Sequence, residues 1–354
     1  MPPKHTYIIL LNWNGWTDTI ECLESVFRLD YSSYTVIVCD NASSDDSFNQ
    51  IRLWAEGTVI ASCKNPEFAR LTAPPIPKPI PFVSYSRPHF SMSPPTSTCP
   101  LVLIQNGSNL GFAGGCNVGL RYALAQADCE YVWLLNNDTV VETDALSQLA
   151  GKMEAESNLG ICGSVLLDYF SPRNVQAIGG RRYSVWSGRV LPQGSLELPC
   201  TKSLQQPIDY VHGASMLVRQ EFLRTVGLLD ERYFLYFEEL DWAMRAAGHF
   251  ALGYSQRSFV YHKEGASIGT NAQRTSRSLL SEWYATRNRL LITRKFNPAL
   301  VPSVLAWVLM TAIQRLLIGA PRRAGQIVAA AWDGLTCAGF STHEPGEPSV
   351  DHSN

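Results

Sequence analysis

Along the first third of the chain the apolar positions alternate between two periods. Tyr7 to Leu11 is an unbroken apolar run, the pattern of a strand buried on both faces. Trp16, Ile20, Leu23 and Phe27 then recur at helical spacing. Thr35 to Cys39 predicts a second buried strand, and a short helix from Asp45 would turn Ile51 and Trp54 inward. Leu101 to Ile104 predicts a third strand. Gly111 to Gly115 reads as a glycine-rich turn leading into a helix through Gln126, and Tyr131 to Leu135 as a fourth strand. Beyond Gly160 come shorter strand-like runs, Ile161–Leu167 and Ile208–Val211, then a helix from near Phe237. The last sixty residues read as helices divided by Pro298, Pro302 and Pro321. Strand alternating with helix predicts an α/β fold with a mostly parallel sheet and right-handed crossovers.

One interval breaks the pattern. Ala61 to Pro100 holds ten of the chain's 21 prolines and shows neither period, so an irregular surface insertion is expected there. The formal net charge of −2 gives no case for a nucleic-acid partner, but the charge is uneven. Arg274, Arg277, Arg287, Arg289, Arg294, Lys295, Arg315, Arg322 and Arg323 face one acid, Glu282, between Thr270 and Ala330. That basic, apolar segment on an acidic body suggests an anionic partner, a phospholipid surface among the candidates. Val301 to Ile318 is broken by Pro302 and Gln314–Arg315, so a buried or interfacial helix is expected rather than a span. The nine cysteines have no CxxC or Cys/His spacing and are expected to be reduced thiols. The N-terminus has no signal-peptide pattern, and a cytoplasmic location is expected, peripheral on the inner face of the membrane.

In an open parallel sheet, ligands sit beyond the carboxyl ends of the strands. All four early strands end there in hydrogen-bonding residues: Asn12 and Asn14; Asp40, Asn41 and Ser43; Asn106 to Asn117 with Gly111, Gly114 and Gly115; and Asn136, Asn137 and Asp138. Each cluster alone is an ordinary turn or helix cap. Four on one rim point to a ligand site. The glycine stretch lacks GxGxxG spacing and has no Gly-Lys-Ser/Thr, which disfavours nicotinamide enzymes and P-loop NTPases.

In this order these segments, with Val211-His212-Gly213-Ala214, Gly227 to Glu231, Phe237-Glu238-Glu239-Leu240-Asp241 and Tyr261-His262, resemble the family-2 glycosyltransferases, in their bacterial rhamnosyltransferase-like branch. The resemblance implies a GT-A nucleotide-diphospho-sugar transferase fold with C-terminal helices. It divides the chain into a catalytic domain over 1–270, a helical segment over 271–340 and a flexible tail over 341–354. Within the first, the nucleotide half ends near 140, the acceptor half runs over 141–270, and 61–100 is the insertion. It implies inverting transfer of a sugar, L-rhamnose, galactofuranose or another hexose, from a UDP- or dTDP-sugar to an acceptor in a surface polysaccharide or lipid-linked glycan. Asp138 would bind Mg²⁺ or Mn²⁺ with His262 as a further ligand, and Asn136 and Asn137 stand where acids are common. Glu239 would be the base, with Glu238 second, although an Asp is usual at 239. Asp241 would face elsewhere and orient Arg245. Asp40, Asn12, Asn14, Ser43, Asn41, Asn109 and Gly111 to Asn117 would line the nucleoside side, and His212 would shape the acceptor or diphosphate pocket. Trp283, Arg287 and Asn288 sit in a Tyr-x-x-Arg-Asn stretch that the family also shows, expected to pack beside the active site. Two rivals are weighed: a sugar nucleotidyltransferase, which needs a basic glycine-rich signature where Asn12-Trp13-Asn14-Gly15 stands, and a catalytically degenerate sugar-nucleotide-binding module.

Overall fold

The computed structural model describes residues 3–86, 98–192, 206–263 and 278–337. In chain order, β1 (Thr6–Asn12), α1 (Trp16–Val26), β2 (Tyr34–Asp40) and α2 (Ser47–Glu56) form two strand–helix units. Next come α3 (Ala69–Thr72), β3 (Phe82–Ser86), β4 (Leu101–Gln105), α4 (Gly111–Leu124) and β5 (Tyr131–Asn136). β6 (Thr139–Val141), α5 (Ala145–Ala155), β7 (Leu159–Asp168) and β8 (Val175–Ile178) open the second half. Short strands follow: β9 (Gly180–Arg181), the hairpin of β10 (Tyr183–Ser184) and β11 (Arg189–Val190), and β12 (Tyr210–Val211). Then come β13 (Ser215–Arg219), α6 (Gln220–Val226), α7 (Glu238–Ala246) and β14 (Ala251–His262). The chain closes with α8 (Leu279–Phe296), α9 (Val301–Leu317) and α10 (Pro321–Thr336).

Among the described residues the main sheet runs β12-β9-β8-β7-β13-β5-β1-β2-β4-β3, with β14 beside β7 and β6 on β14. β3, β4, β2, β1 and β5 are parallel neighbours. β13 enters antiparallel between β5 and β7. The buried runs of β1, β2, β4 and β5 carry apolar side chains to both sides of the sheet, where they form two apolar layers, one with Trp54 and Trp133 and one with Trp242 fully buried. This is a GT-A fold, as the sequence led us to expect, and it brings the polar strand ends to one rim.

The proline-rich interval differs from expectation. β3 lies inside it and forms the outer edge of the sheet on β4, while Phe68 and Leu71 pack with Val140 and Tyr169. An edge strand needs a ladder on one side only, and Pro79 and Pro81 precede β3 rather than interrupt it. Residues 87–97 of that interval lie outside the described residues, as does the tail from 338. Pro302 does not divide helices either. It sits in the first turn of α9, where its missing N–H costs nothing, and the break from α8 is a 3₁₀ turn at Pro298–Leu300.

Candidate active site

The nucleotide-side rim is a network of amides and one carboxylate that hold one another. Asp40 is buried and accepts from Asn12 Nδ2 at 2.7 Å, Ser43 Oγ at 2.6 Å and Ser43 N at 3.1 Å. Asn12 accepts from Thr19 Oγ1 at 2.8 Å, and Asn137 donates to the same Thr19 at 2.9 Å. Asn41 donates to Asn109 Oδ1 at 2.8 Å, which also accepts from Gly111 N at 3.0 Å. Asn14, exposed, accepts from Ser44 N at 2.7 Å. Asn14, Ser43, Asn109 and Asn136 keep surface exposure, whereas Asn12, Asp40, Asn41 and Asn137 brace them from below. Glycines 111, 114 and 115 lie in α4, so the helix begins where a turn was expected. A side chain at 115 would collide with Leu11, and one at 111, where φ is +69°, with Phe234. These glycines therefore serve close helix packing. Asn117 likewise faces inward, bonded to the Leu229 backbone and Glu231.

At the end of β5 the rim meets β14. His262 Nε2 lies 3.3 Å from Asp138 Oδ1 and 3.3 Å from Asn136 Nδ2. The ring is oriented through Nδ1, 3.0 Å from Gln176 Oε1, and the Gln176 amide is itself fixed by donating to the carbonyl of His262 and to Asp168. Nδ1 thus holds a hydrogen. With Nε2 also protonated the ring pairs with the Asp138 carboxylate, and in the neutral ring the Nε2 lone pair faces that carboxylate, where a cation can take the place of the proton. Burial alone would raise the Asp138 carboxyl, but the charges of His262 and Lys263 hold it below its ordinary value. Lys263 is buried on Asp18 and Glu21, both at 2.6 Å. Among the described residues no three His, Cys, Asp or Glu side chains surround one point.

The third component is the loop before α7. Phe234, Tyr236 and Phe237 all have positive φ, at 57°, 69° and 76°, in a region that L-residues with bulky side chains rarely adopt. Asn288 of α8 holds this backbone by donating to the carbonyls of Tyr233, Leu235 and Tyr236 at 2.7, 2.8 and 2.9 Å, and Arg287 donates to that of Arg232. Phe234 stacks on Tyr284. The strained turn delivers Glu238 and Glu239 at the start of α7. The Oε2 atoms of both are buried without a hydrogen-bond partner. Burial pushes the Glu239 carboxyl up to about 7, and burial together with Glu239 pushes Glu238 well above its usual range. Asp241 does not join them. It is fully buried and accepts from Arg245, Lys295 and Tyr233, so it fixes the helix instead of facing the cleft.

His212 joins the two sides. Its ring centroid is 6.2 Å from that of His262, and Gly213 lies against Glu239, where a Cβ would stand 3.5 Å from Oε1. Burial, with His262 and Arg181 nearby, pushes the His212 imidazole down to about 3, and Ala214 N donates to its Nδ1, so the neutral ring carries its hydrogen on Nε2. Asp138, His262, His212 and Glu239 therefore border one crevice, next to the Asn12–Asp40 rim. Sequence reasoning missed Thr19, Gln176, Arg181 and Lys263. Their partners lie far away in the chain, and only Lys263, adjacent to His262, carried a local signal.

The mostly parallel sheet of the GT-A fold thus carries a polar rim, a carboxylate–imidazole pair after the fifth parallel strand and two raised carboxyls opposite. Residues 96–227 match the family model for glycosyl transferase family 2. It is similar to the low-salt glycan biosynthesis hexosyltransferase Agl10 of Haloferax volcanii, 28% identical over 40% of this chain and 45% of that one. It is also similar to the dTDP-rhamnosyl transferase RfbF of Shigella flexneri, 24% identical over 57% of this chain and 66% of that one. The chain thus aligns with less than two thirds of the length of these relatives. In fold it is similar to the mannosyltransferase PcManGT from Pyrobaculum calidifontis, solved with GDP-Man and Mn²⁺, at a TM-score of 0.51 and 14% identity over 95% of this chain and 88% of that one. GalNAc-T7, solved with UDP, GalNAc and Mn²⁺, shares the fold at a TM-score of 0.51 and 13% identity, over 82% of this chain and 48% of that one.

Proposed function

We propose that the chain moves a hexosyl unit, L-rhamnose in the reading that the Shigella relative supports, from a UDP- or dTDP-sugar to a hydroxyl of a glycan or lipid-linked acceptor, with inversion, on the cytoplasmic side of a membrane. The observation that carries this is the pair of buried carboxyls, Glu238 and Glu239, each with an oxygen lacking a partner, opposite Asp138 and His262. A buried carboxyl with no partner is costly unless the vacancy belongs to a substrate.

Glu239 is the base, because it borders both the crevice at Gly213 and a cavity described below, while Glu238 is buried behind it. A carboxyl near neutrality is suited to taking a proton at physiological pH. Its oxygen takes the acceptor O–H proton as that oxygen bonds to the anomeric carbon. The bond from that carbon to the diphosphate breaks, and its electron pair leaves with the nucleoside diphosphate. Attack opposite the leaving group inverts the anomeric centre. Arg181, near enough to shift His212, adds positive charge beside the crevice.

Asp138 and His262 fit a divalent cation. One carboxylate oxygen and, in the neutral ring, one lone-pair nitrogen face each other and would hold the ion, with Gln176 fixing the second nitrogen of the ring. When bound, such an ion neutralises charge on the departing diphosphate. Thermal unfolding with UDP and with dTDP tests the reading. At least one is expected to raise the midpoint with Mn²⁺ present and to lose that effect with a chelator. No shift from either would overturn it.

A further inference from the structure

A cavity of about 460 Å³ starts at Glu239 and runs away from the nucleotide rim toward the C-terminal helices. Tyr210, Tyr236 and Phe237 wall its inner end, and Trp307, Met310 and Gln314 of α9 its outer end. Between them stand Arg289 and Arg315, with Arg189 from the hairpin. The acid there, Glu282, is already shared, accepting from Arg315 through one oxygen and from Arg323 through the other. Arg189, Arg289 and Arg315 thus bring three guanidiniums to the lining between its two ends.

The outer end opens into an apolar surface. α9 buries Val304, Val308 and Ala312 against α8 and α10, and its opposite stripe, Leu309, Ile313, Leu316 and Leu317, is exposed at 42, 54, 54 and 81%. Val328 and Trp332 of α10, one turn apart, are exposed beside it, and so is Trp186 at the hairpin. The hairpin is fastened to this face: Ser303 donates to the Trp186 carbonyl, the Arg189 guanidinium lies over the Trp307 ring, and Gly188 lies against Arg289 and Val304. Pro298–Leu317 is long and apolar enough by composition to cross a bilayer, yet one side of it is packed onto the catalytic body and Arg315 is tied to Glu282. Such a helix lies in the interface plane with its apolar stripe in the acyl boundary, where tryptophan is favoured. Arg189 and Arg322, both exposed, complement an anionic lipid surface.

Resting on the reading of Glu239 as base, we propose that this cavity receives the acceptor as a lipid phosphate ester. Its sugar hydroxyl lies at Glu239, its phosphate beside Arg289, and its chain leaves past Trp307 and Met310 into a bilayer that the Ile313–Trp332 face lies on. Arg289 is then a binding residue for the acceptor's charge.

Three measurements on the full chain test this. The protein is expected to float with phosphatidylglycerol–phosphatidylcholine vesicles, and the variant Ile313→Ser/Leu317→Ser/Trp332→Ser to stay in solution while keeping its Mn²⁺-dependent shift with UDP or dTDP. Dodecyl phosphate, titrated calorimetrically below its micelle concentration, is expected to bind at least tenfold more tightly than dodecanol or inorganic phosphate. Arg289→Gln is expected to remove most of that preference, a charge-assisted contact being worth about tenfold or more. No flotation, equal binding of dodecanol and dodecyl phosphate, or an unchanged preference in Arg289→Gln would each overturn the proposal. So would a triple variant that changes a dimer to a monomer in sedimentation while the parent ignores vesicles, since the face would then join two copies. Failure of the nucleotides to shift the parent protein would count instead against the transferase reading.

Discussion

The two sides of the crevice are built on opposite principles. On the nucleotide side almost every buried polar group is satisfied by another: Asn12, Asp40, Asn41, Asn109 and Asn137 form a closed set of short hydrogen bonds on the ends of parallel strands. On the other side, three bulky residues of the four from Phe234 to Phe237 have strained backbone and deliver two carboxyls, each with one oxygen that has no partner. The first side is a relaxed scaffold. The second stores strain and desolvation at two carboxyls, and Asn288 from a distant helix holds it.

Where they meet, the largest effect is expected from Asp138→Asn. It should weaken Mn²⁺-dependent binding of the nucleoside diphosphate on the order of 100-fold or more, by calorimetry. Asn288→Ala removes three hydrogen bonds from the strained loop. It should cost about 2–3 kcal/mol in denaturant unfolding and lower kcat, with donor affinity on the relaxed side preserved. If donor affinity falls equally, the two sides are not separable. Gly115→Ala should have the converse profile: a stability loss of about 1–3 kcal/mol from overpacking against Leu11, with turnover per folded molecule retained. The smallest effect concerns pH. The Glu239 carboxyl sits at about 7 in the folded chain, above its ordinary 4.5. Between those values the native state keeps a proton that the unfolded state has released. This group therefore makes stability fall as pH rises from about 4.5 to 7, while turnover, which needs the carboxylate, rises through about 7. Unfolding and initial rates measured across that range should have opposite slopes.

The relaxed side was legible in the sequence because its determinants are local. An apolar run followed by Asn or Asp marks a buried strand and its rim, and Asn12, Asp40, Asn109 and Asp138 all follow that rule. What the pattern could not separate was the braces from the residues that face solvent, since both are short amides at strand ends. The glycines of α4 were read as a ligand loop, yet their spacing answers to Leu11 and Phe234, which come from elsewhere in the chain. The strained side was legible only as an acidic helix start between aromatic residues. Its geometry depends on Asn288, about fifty residues away, and the orientation of His262 depends on Gln176, 86 residues away. β3 was invisible for a different reason: edge strands tolerate neighbouring prolines, and prolines mask the period that reveals strands.

The decisive measurement is single-turnover sugar transfer by Glu239→Gln, with nucleoside diphosphate affinity determined in the same preparation. Loss of transfer by about a hundredfold or more, with unchanged Mn²⁺-dependent affinity, is the expected result. Transfer at the parent rate would show that the proton goes elsewhere and that the strained carboxyl pair is not the catalytic side of this crevice.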